Sequence, residues 1–455
     1  MLTFLNFTAN SQNKTSDNMS LCTNYDGGYT YNDIWGYVDG AGREYAILGS
    51  TSRISIIDVT DPYNEVLIDE FAPGMTSSWR DMKSYGNYVY GCSEAYGEGL
   101  AIIDMSNVPT SANLVTVSNS YFQSSHNIYI DEQHGRLYTA GARDANGHVN
   151  MMVFDLTANP ADPTLLANVT LVNGGYVHDV YVRDHIAYCS HGYNGYGIYD
   201  LTDPNNPIPL SSQQTNGYNH SSWLTTDGSY ALVAEEVPKG LPLLIVDLAG
   251  VNNNDTPVVH SFKEPLLAPT HTNNTPHNPF IVGDLLYLSY YEDGIVVFDI
   301  SDPLNPVRVA YYDTSCNSSY SGYNNVWGCY PFLPSGKILG SDRSTGLYVL
   351  EIDLTSDCPE SYAGVNAITC KFNRTADYET DGIIESTQEL ISGAKVDYDS
   401  KIHIDLLPGF IVNENTEFAA FIDGCNNGAG GIINTNSTSI QTPTQTQRKK
   451  QISID

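Results

Sequence analysis

One pattern returns seven times along the chain: a short apolar run closed by an acidic residue. It reads ISIID to Asp58, LAIID to Asp104, MMVFD to Asp155, YGIYD to Asp200, LLIVD to Asp247, IVVFD to Asp299 and LYVLE to Glu351. Successive acids stand 46, 51, 45, 47, 52 and 52 residues apart. A period of this length marks a repeat architecture, in which each unit buries its apolar face against the next. Several runs pass into Asp-Pro turns, at Asp61-Pro62, Asp203-Pro204 and Asp302-Pro303. Pro presets the first corner of such a turn and stops the strand. The closing acids themselves are expected to cap these turns by accepting backbone N–H bonds.

Each unit holds three more strand-like segments. Ahead of the acid-ended run lies one such as EYAILG (44–49) or LLYLSY (285–290), and ahead of that another such as DIWGYV (33–38) or DVYVR (179–183). Hairpin signals such as Asp227-Gly228 and Ser335-Gly336 separate the two. A fourth segment follows the turn, as in PVRVAYY (306–312). Four strands in 45–52 residues make a propeller blade. The predicted fold is all-β, a seven-bladed β-propeller over 31–355. Helical periodicity is nearly absent, and the rungs of a β-solenoid are shorter than this period. The seventh unit has no evident fourth strand before Cys358; residues 1–30 are the candidate to supply it and close the ring.

The innermost strand of each blade lines the central channel, and its first residues sit at one mouth. Four consecutive units open on histidine: His126, His178, His220 and His277. Beside them on the inner strands stand Asp33, Arg80, Asp81, Asn127, Asp179 and Asn278, with Gly328-Cys329 as the seventh opening pair. Second strands return to the same rim and end near Glu94, His191, Glu235 and Glu236. Neutral imidazoles suit Fe, Cu or Zn, and carboxylate and amide oxygens suit Ca. The four histidines are therefore candidate ligands for a divalent metal, and the remaining residues a candidate ligand-binding rim. The same histidines can equally cap their blades by hydrogen bonding to backbone. Trp35, Trp79, Trp223 and Trp327 lie near the blade openings, where interblade packing is the first expectation and a stacking surface for sugar or peptide the second. No P-loop, dinucleotide fingerprint or GxSxG elbow occurs.

The runs resemble the LVIVD repeat, LLIVD at 243–247 above all. Longer segments resemble the choice-of-anchor B proteins: NDIWG (32–36), REYAILG (43–49), Trp79-Arg80-Asp81, NHSSWLTTDG (219–228) and YPFLPSGKILGSD (330–342). The resemblance covers about residues 30–352 and implies a secreted or surface-displayed propeller, with little about chemistry. The stretch 356–425, with SGA (392–394), LLPGF (406–410) and EFAAFIDGC (417–425), resembles a small β module of secreted Bacteroidetes proteins. Residues 426–455 are rich in Thr, Gln and Asn and read as a disordered polar tail.

Charge and cysteine usage bear on partners and compartment. With 52 acidic against 20 basic residues the net charge is −32. Such a surface repels phosphate backbones and anionic lipid, which argues against nucleic-acid partners. No run approaches the ~20 apolar residues of a membrane span. Met1–Asn10 is a short apolar segment read as a signal-peptide remnant. Eight cysteines form no CxxC pair, and Cys316 and Cys329 flank a loop they could staple. The expected setting is secreted or extracellular, with attachment to the cell surface. Two functions remain open: a binding or scaffold protein for an extracellular ligand, polymer or surface protein, and a metal-dependent oxidoreductase or hydrolase at the channel mouth.

Overall fold

The computed structural model describes residues 16–172, 175–263, 273–314, 322–354, 371–422 apart from 373–374, 381, 391–393 and 415, and Ser453–Ile454. Met1–Asn10, Cys316, Cys358, Cys370, Cys425 and residues 426–452 lie outside the described residues.

Every acid-ended run is the third strand of an antiparallel blade, and seven such sheets form the propeller, six of four strands and one of five. The first blade takes Tyr31–Val38, Glu44–Ser50, Ile54–Asp58 and Val66–Phe71 from the axis outward. The other inner strands are Arg80–Tyr85, Asn127–Asp131, Asp179–Arg183, Asn219–Leu224, Pro279–Val282 and Val326–Tyr330. Six closing acids do cap their turns: Asp58, Asp104, Asp155, Asp200, Asp247 and Asp299 each accept the N–H two residues on, at 2.8–2.9 Å. Between third and fourth strands every blade carries a register slip, as at Ile198/Tyr199 and Val297/Phe298. A bulge there raises the local twist, which lets each outer strand turn away from the axis.

The N-terminal segment closes the ring. Met19–Tyr25 pairs antiparallel with Gly346–Ile352, placing Ser20 opposite Glu351, and carries the same slip at Leu21/Thr23. Gly346 confirms the equivalence. Its φ is +86°, and a Cβ there would lie 2.2 Å from the Tyr25 carbonyl oxygen. Gly294 in blade six meets its own outer strand at Tyr312 in the same way, at 2.0 Å. Ser16–Asp17 goes further and pairs with Tyr311–Tyr312 as a fifth strand on blade six.

The core lies between blades. Seven apolar clusters among the described residues each join one blade to the next, from Ile47–Val89 through Val153–Val180 to Leu48–Leu339 across the closure. Cys329 sits buried in the cluster between blades six and seven as a free thiol. The strand turns this side chain into the interblade core; its expected staple partner, Cys316, lies outside the described residues.

The C-terminal module is a short parallel solenoid. Thr375–Thr380, Lys395–Ser400 and Glu417–Phe421 stack in register, and two flanking three-stranded stacks complete it. Tyr378, Ile384, Leu390, Val396, Tyr398 and Ile404 fill its interior. Ser453–Ile454 pairs parallel with Asp405–Leu406, so the stretch read as a disordered tail contributes a strand. Its Ile-Ser-Ile alternation suits an open parallel edge.

Deleting residues 1–25 is expected to abolish the cooperative thermal melt, because it strips blade seven of its outer strand. Gly346→Ala should lower unfolding stability by about 1–3 kcal/mol through positive φ and backbone crowding. Circular dichroism melts of both variants test this; unchanged transitions would show that the strand is dispensable.

Candidate functional site

Because the blades are equivalent, each inner strand delivers its residues to the channel in tiers. The first tier holds the residues that open the strands: His126, His178, His220, His277 and Trp327. The next residues, Asp33, Asp81, Asn127, Asp179, Ser221 and Asn278, form a polar second tier. Two positions further, where the pleat again faces inward, stand Lys83, Tyr129, Tyr181, Trp223 and Phe280. Together these line a cavity that offers about 70 Å³ to the centres of water molecules, room for several.

The four histidines form an arc. Neighbouring ring centroids lie 4.2, 4.3 and 4.3 Å apart from His126 through His178 and His220 to His277. His178 Nδ1 donates to the His220 carbonyl at 2.9 Å, and His220 Nδ1 to the His277 carbonyl at 3.1 Å. His277 Nδ1 donates in turn to the Trp327 carbonyl. A carbonyl can only accept, so all three imidazoles carry their proton on Nδ1 when neutral, and Nε2 keeps its lone pair. Burial, followed by repulsion from neighbouring imidazoles, holds His178 and His277 well below the usual histidine range. Burial also lowers His220, opposed by Glu236. His126 differs: its Nδ1 meets Glu94 at 2.7 Å, and that bond lowers the Glu94 carboxyl.

The second tier is charged. Lys83 forms an ion pair with Asp81, lies 3.8 Å from Asp33 and sits 4.3 Å above the Trp35 ring. Burial alone would depress Lys83, but the Asp81 and Asp33 carboxylates outweigh it and raise its pKa. Burial raises Asp33 well above the carboxylate range, with Asp81 adding to the effect. Burial likewise raises Asp179 to about 7. Below this tier, aromatic rings fill the channel. Trp223 contacts Tyr181 at 4.5 Å, Phe280 at 5.1 Å and Phe332 at 5.5 Å, and Trp35 meets Tyr330 at 4.9 Å.

The expected rim divides accordingly. Asp33, Asp81, Asn127, Asp179, Asn278 and the four histidines line the cavity, and Glu94 supports His126 from outside it. Besides Glu94, three expected rim residues do not line it. Arg80 turns outward into a buried ion pair with Glu98 at 2.6 Å. Glu235 accepts the Gly217 N–H at 2.7 Å and serves a loop. His191 is held between the Tyr176 carbonyl and the Tyr199 hydroxyl, both at 3.1 Å. The seventh opening pair is also shifted by one: Trp327 accepts the bond from His277, so it stands where the histidines stand, and Gly328 takes the second-tier place. A Cβ at Gly328 would lie 2.3 Å from Asp33 Oδ1, which explains the glycine. Of the tryptophans, Trp35 and Trp223 fill the channel floor, while Trp79 and Trp327 line the mouth. Lys83 and Glu236 line the cavity too. Lys83 lies two residues after Asp81, the one signal that could have found it.

Comparison with known protein families gives no match, and comparison with curated proteins gives none. Among solved structures the chain is similar to the β-propeller domain of Cps50 (Swd1) from Myceliophteria thermophila, at 10% identity and a TM-score of 0.52. The match covers 74% of this chain and 100% of that one, and it supports the β-propeller fold.

Arg80→Ala leaves Glu98 charged and buried, and should cost about 3–5 kcal/mol of stability. Asp33 predicts a pH effect. Unfolded, it ionises above its ordinary value of 3.8, while in the fold it stays protonated to higher pH. Its contribution therefore turns increasingly destabilising as pH rises from that value towards the raised folded one. Asp33→Asn should match the parent near pH 4 and gain on it progressively towards pH 8 in denaturant melts; a pH-independent difference would sink the assignment.

Proposed function

We propose that this chain is an extracellular binding propeller, which recognises a ligand, polymer or surface protein at the histidine-lined mouth of its channel. One observation carries this reading: the channel is a polar cup above an aromatic floor, and Asn278 Oδ1, at its wall, is buried with no hydrogen-bond partner. Buried acceptors of this kind are ordinarily satisfied by water or a ligand, and convergent polar groups in a concavity mark binding sites. Trp79 lines the mouth while remaining 44% exposed, a placement suited to stacking against a planar face of a ligand.

The net charge of −32 and the resemblance to choice-of-anchor B proteins support a place outside the cell. No helix among the described residues is long and apolar enough to cross a membrane. In this reading the C-terminal solenoid joins the propeller to the envelope or to a larger assembly. A metal-dependent oxidoreductase or hydrolase is the second reading, favoured by the approach of His178, His220 and Glu236 to one another.

The test is capture of arrayed polysaccharides and peptides by the full chain. Trp79→Ala, which removes an exposed ring and no core contact, should weaken capture at least tenfold with an unchanged melt. An array that retains nothing, or capture indifferent to Trp79, counts against the mouth as the binding surface.

A further inference from the structure

The cup contains a closed set of donor atoms with every supporting contact already in place. One ligand atom from each of His178, His220 and Glu236 lies within 4.8 Å of the others. His220 Nε2 and Glu236 Oε2 are 3.8 Å apart. The outward-facing atom of each side chain is already bonded: His178 Nδ1 to the His220 carbonyl, His220 Nδ1 to the His277 carbonyl, and Glu236 Oε1 to the Tyr291 hydroxyl at 2.6 Å. Two imidazole lone pairs and one carboxylate oxygen are left facing the same space. This is how proteins orient metal ligands, with the second ring nitrogen on a carbonyl and the carboxylate fixed by a hydrogen bond.

We infer that His178, His220 and Glu236 form a site for a divalent transition-metal ion of the zinc class, with its fourth position open. Bonds to nitrogen and oxygen of ~2.0–2.2 Å set tetrahedral donors ~3.4 Å apart, so His220 and Glu236, at 3.8 Å, must close by a few tenths of an ångström, and any pair near the 4.8 Å limit by about an ångström more, through side-chain rotation. Two nitrogens and one oxygen favour Zn²⁺ or Co²⁺ over Ca²⁺, which takes six to eight oxygens. The site sits in the cup proposed for recognition but does not depend on what the cup recognises.

Untagged full-length protein, stripped with chelator and dialysed, tests this with Zn²⁺ and Co²⁺ as probes. The expected result is one tightly held equivalent per chain by elemental analysis, with Co²⁺ broadening the His178 and His220 ring resonances. His178→Gln, His220→Gln and Glu236→Gln should each weaken binding at least tenfold. Tyr291→Phe, which removes only the outer hydrogen bond, should weaken it by about 10–100-fold. His134→Gln, in a separate partly exposed cluster with Asp131 and His185, should leave it unchanged. Absence of stoichiometric metal in the parent, His178 and His220 resonances left sharp by Co²⁺, or loss with His134→Gln alone overturns the assignment; the adjacent His126 and His277 rings are expected to broaden as well. The parent's resonances decide the matter even if a cup variant fails to fold. Metal bound without capture of any arrayed ligand counts against the recognition role alone; capture without metal counts against this site alone.

Discussion

A ring of blades is held together by interfaces between neighbours, and it is complete only when the last blade meets the first. Here that condition rests on the pairing of Ser20 with Glu351 and of Tyr25 with Leu347. The two strands come from opposite ends of the propeller, so this pairing ties the first blade to the last. Loop-closure entropy grows only slowly with the length enclosed, which makes such a long-range fastening affordable. Its return is the removal of an open seam: the apolar cluster of Tyr31, Leu48, Leu339 and Val349 between blades seven and one is as buried as the others. Closure also sets the radius of the channel, and with it the spacing of every residue that opens an inner strand.

The fold was legible because its repeat is written in the third strand. Those runs are buried on both faces, so their apolar character is continuous, and the acid that ends each must satisfy a turn. Both demands recur in every blade, as Ile54–Asp58 and Ile295–Asp299 illustrate. The candidate site was legible only in part. The histidines announced themselves by position, but which neighbour faces the channel depends on strand parity, and bulges reset parity without a sequence mark. In blade five the ladder slips between Asn219 and Ser221, and in blade seven between Val326 and Gly328. The first slip bears on why Glu236 lines the cup while Glu235 turns to a loop. The second makes Trp327, rather than Gly328, the counterpart of His220. Arg80 misled for a different reason: a charged side chain at a strand start reads as a rim residue, whereas Glu98, eighteen positions on, draws it into the blade.

Lys83 shows how an acidic protein manages its channel. Three carboxyl groups, Asp33, Asp81 and Asp179, share one polar tier out of bulk water, where desolvation and the nearby Asp81 both oppose ionisation of Asp33 and Asp179. One buried ammonium among them offsets part of that cost and is itself kept charged. The histidine tier above follows the opposite rule. Burial favours the neutral form of His178, His220 and His277, so these three contribute lone pairs. A cup with neutral nitrogen donors over a near-compensated ionic layer favours a cation or a hydroxyl-rich ligand over an anion.

Structural and functional roles of the histidines are usually set against each other, yet here one hydrogen bond serves both. The Nδ1–H of His178 fastens blade four to blade five by reaching the His220 carbonyl, and His220 repeats the act toward blade six. Each such bond contributes about 1 kcal/mol to cohesion, which alone would justify the residue in a repeat. The same bond fixes the tautomer, and a fixed tautomer leaves Nε2 an acceptor pointing away from the blade. Serine or asparagine could fasten the blades as well, but neither would leave a basic nitrogen on the channel side. Three consecutive histidines, His178, His220 and His277, therefore do more than cohesion requires, and each leaves a basic nitrogen at the cup.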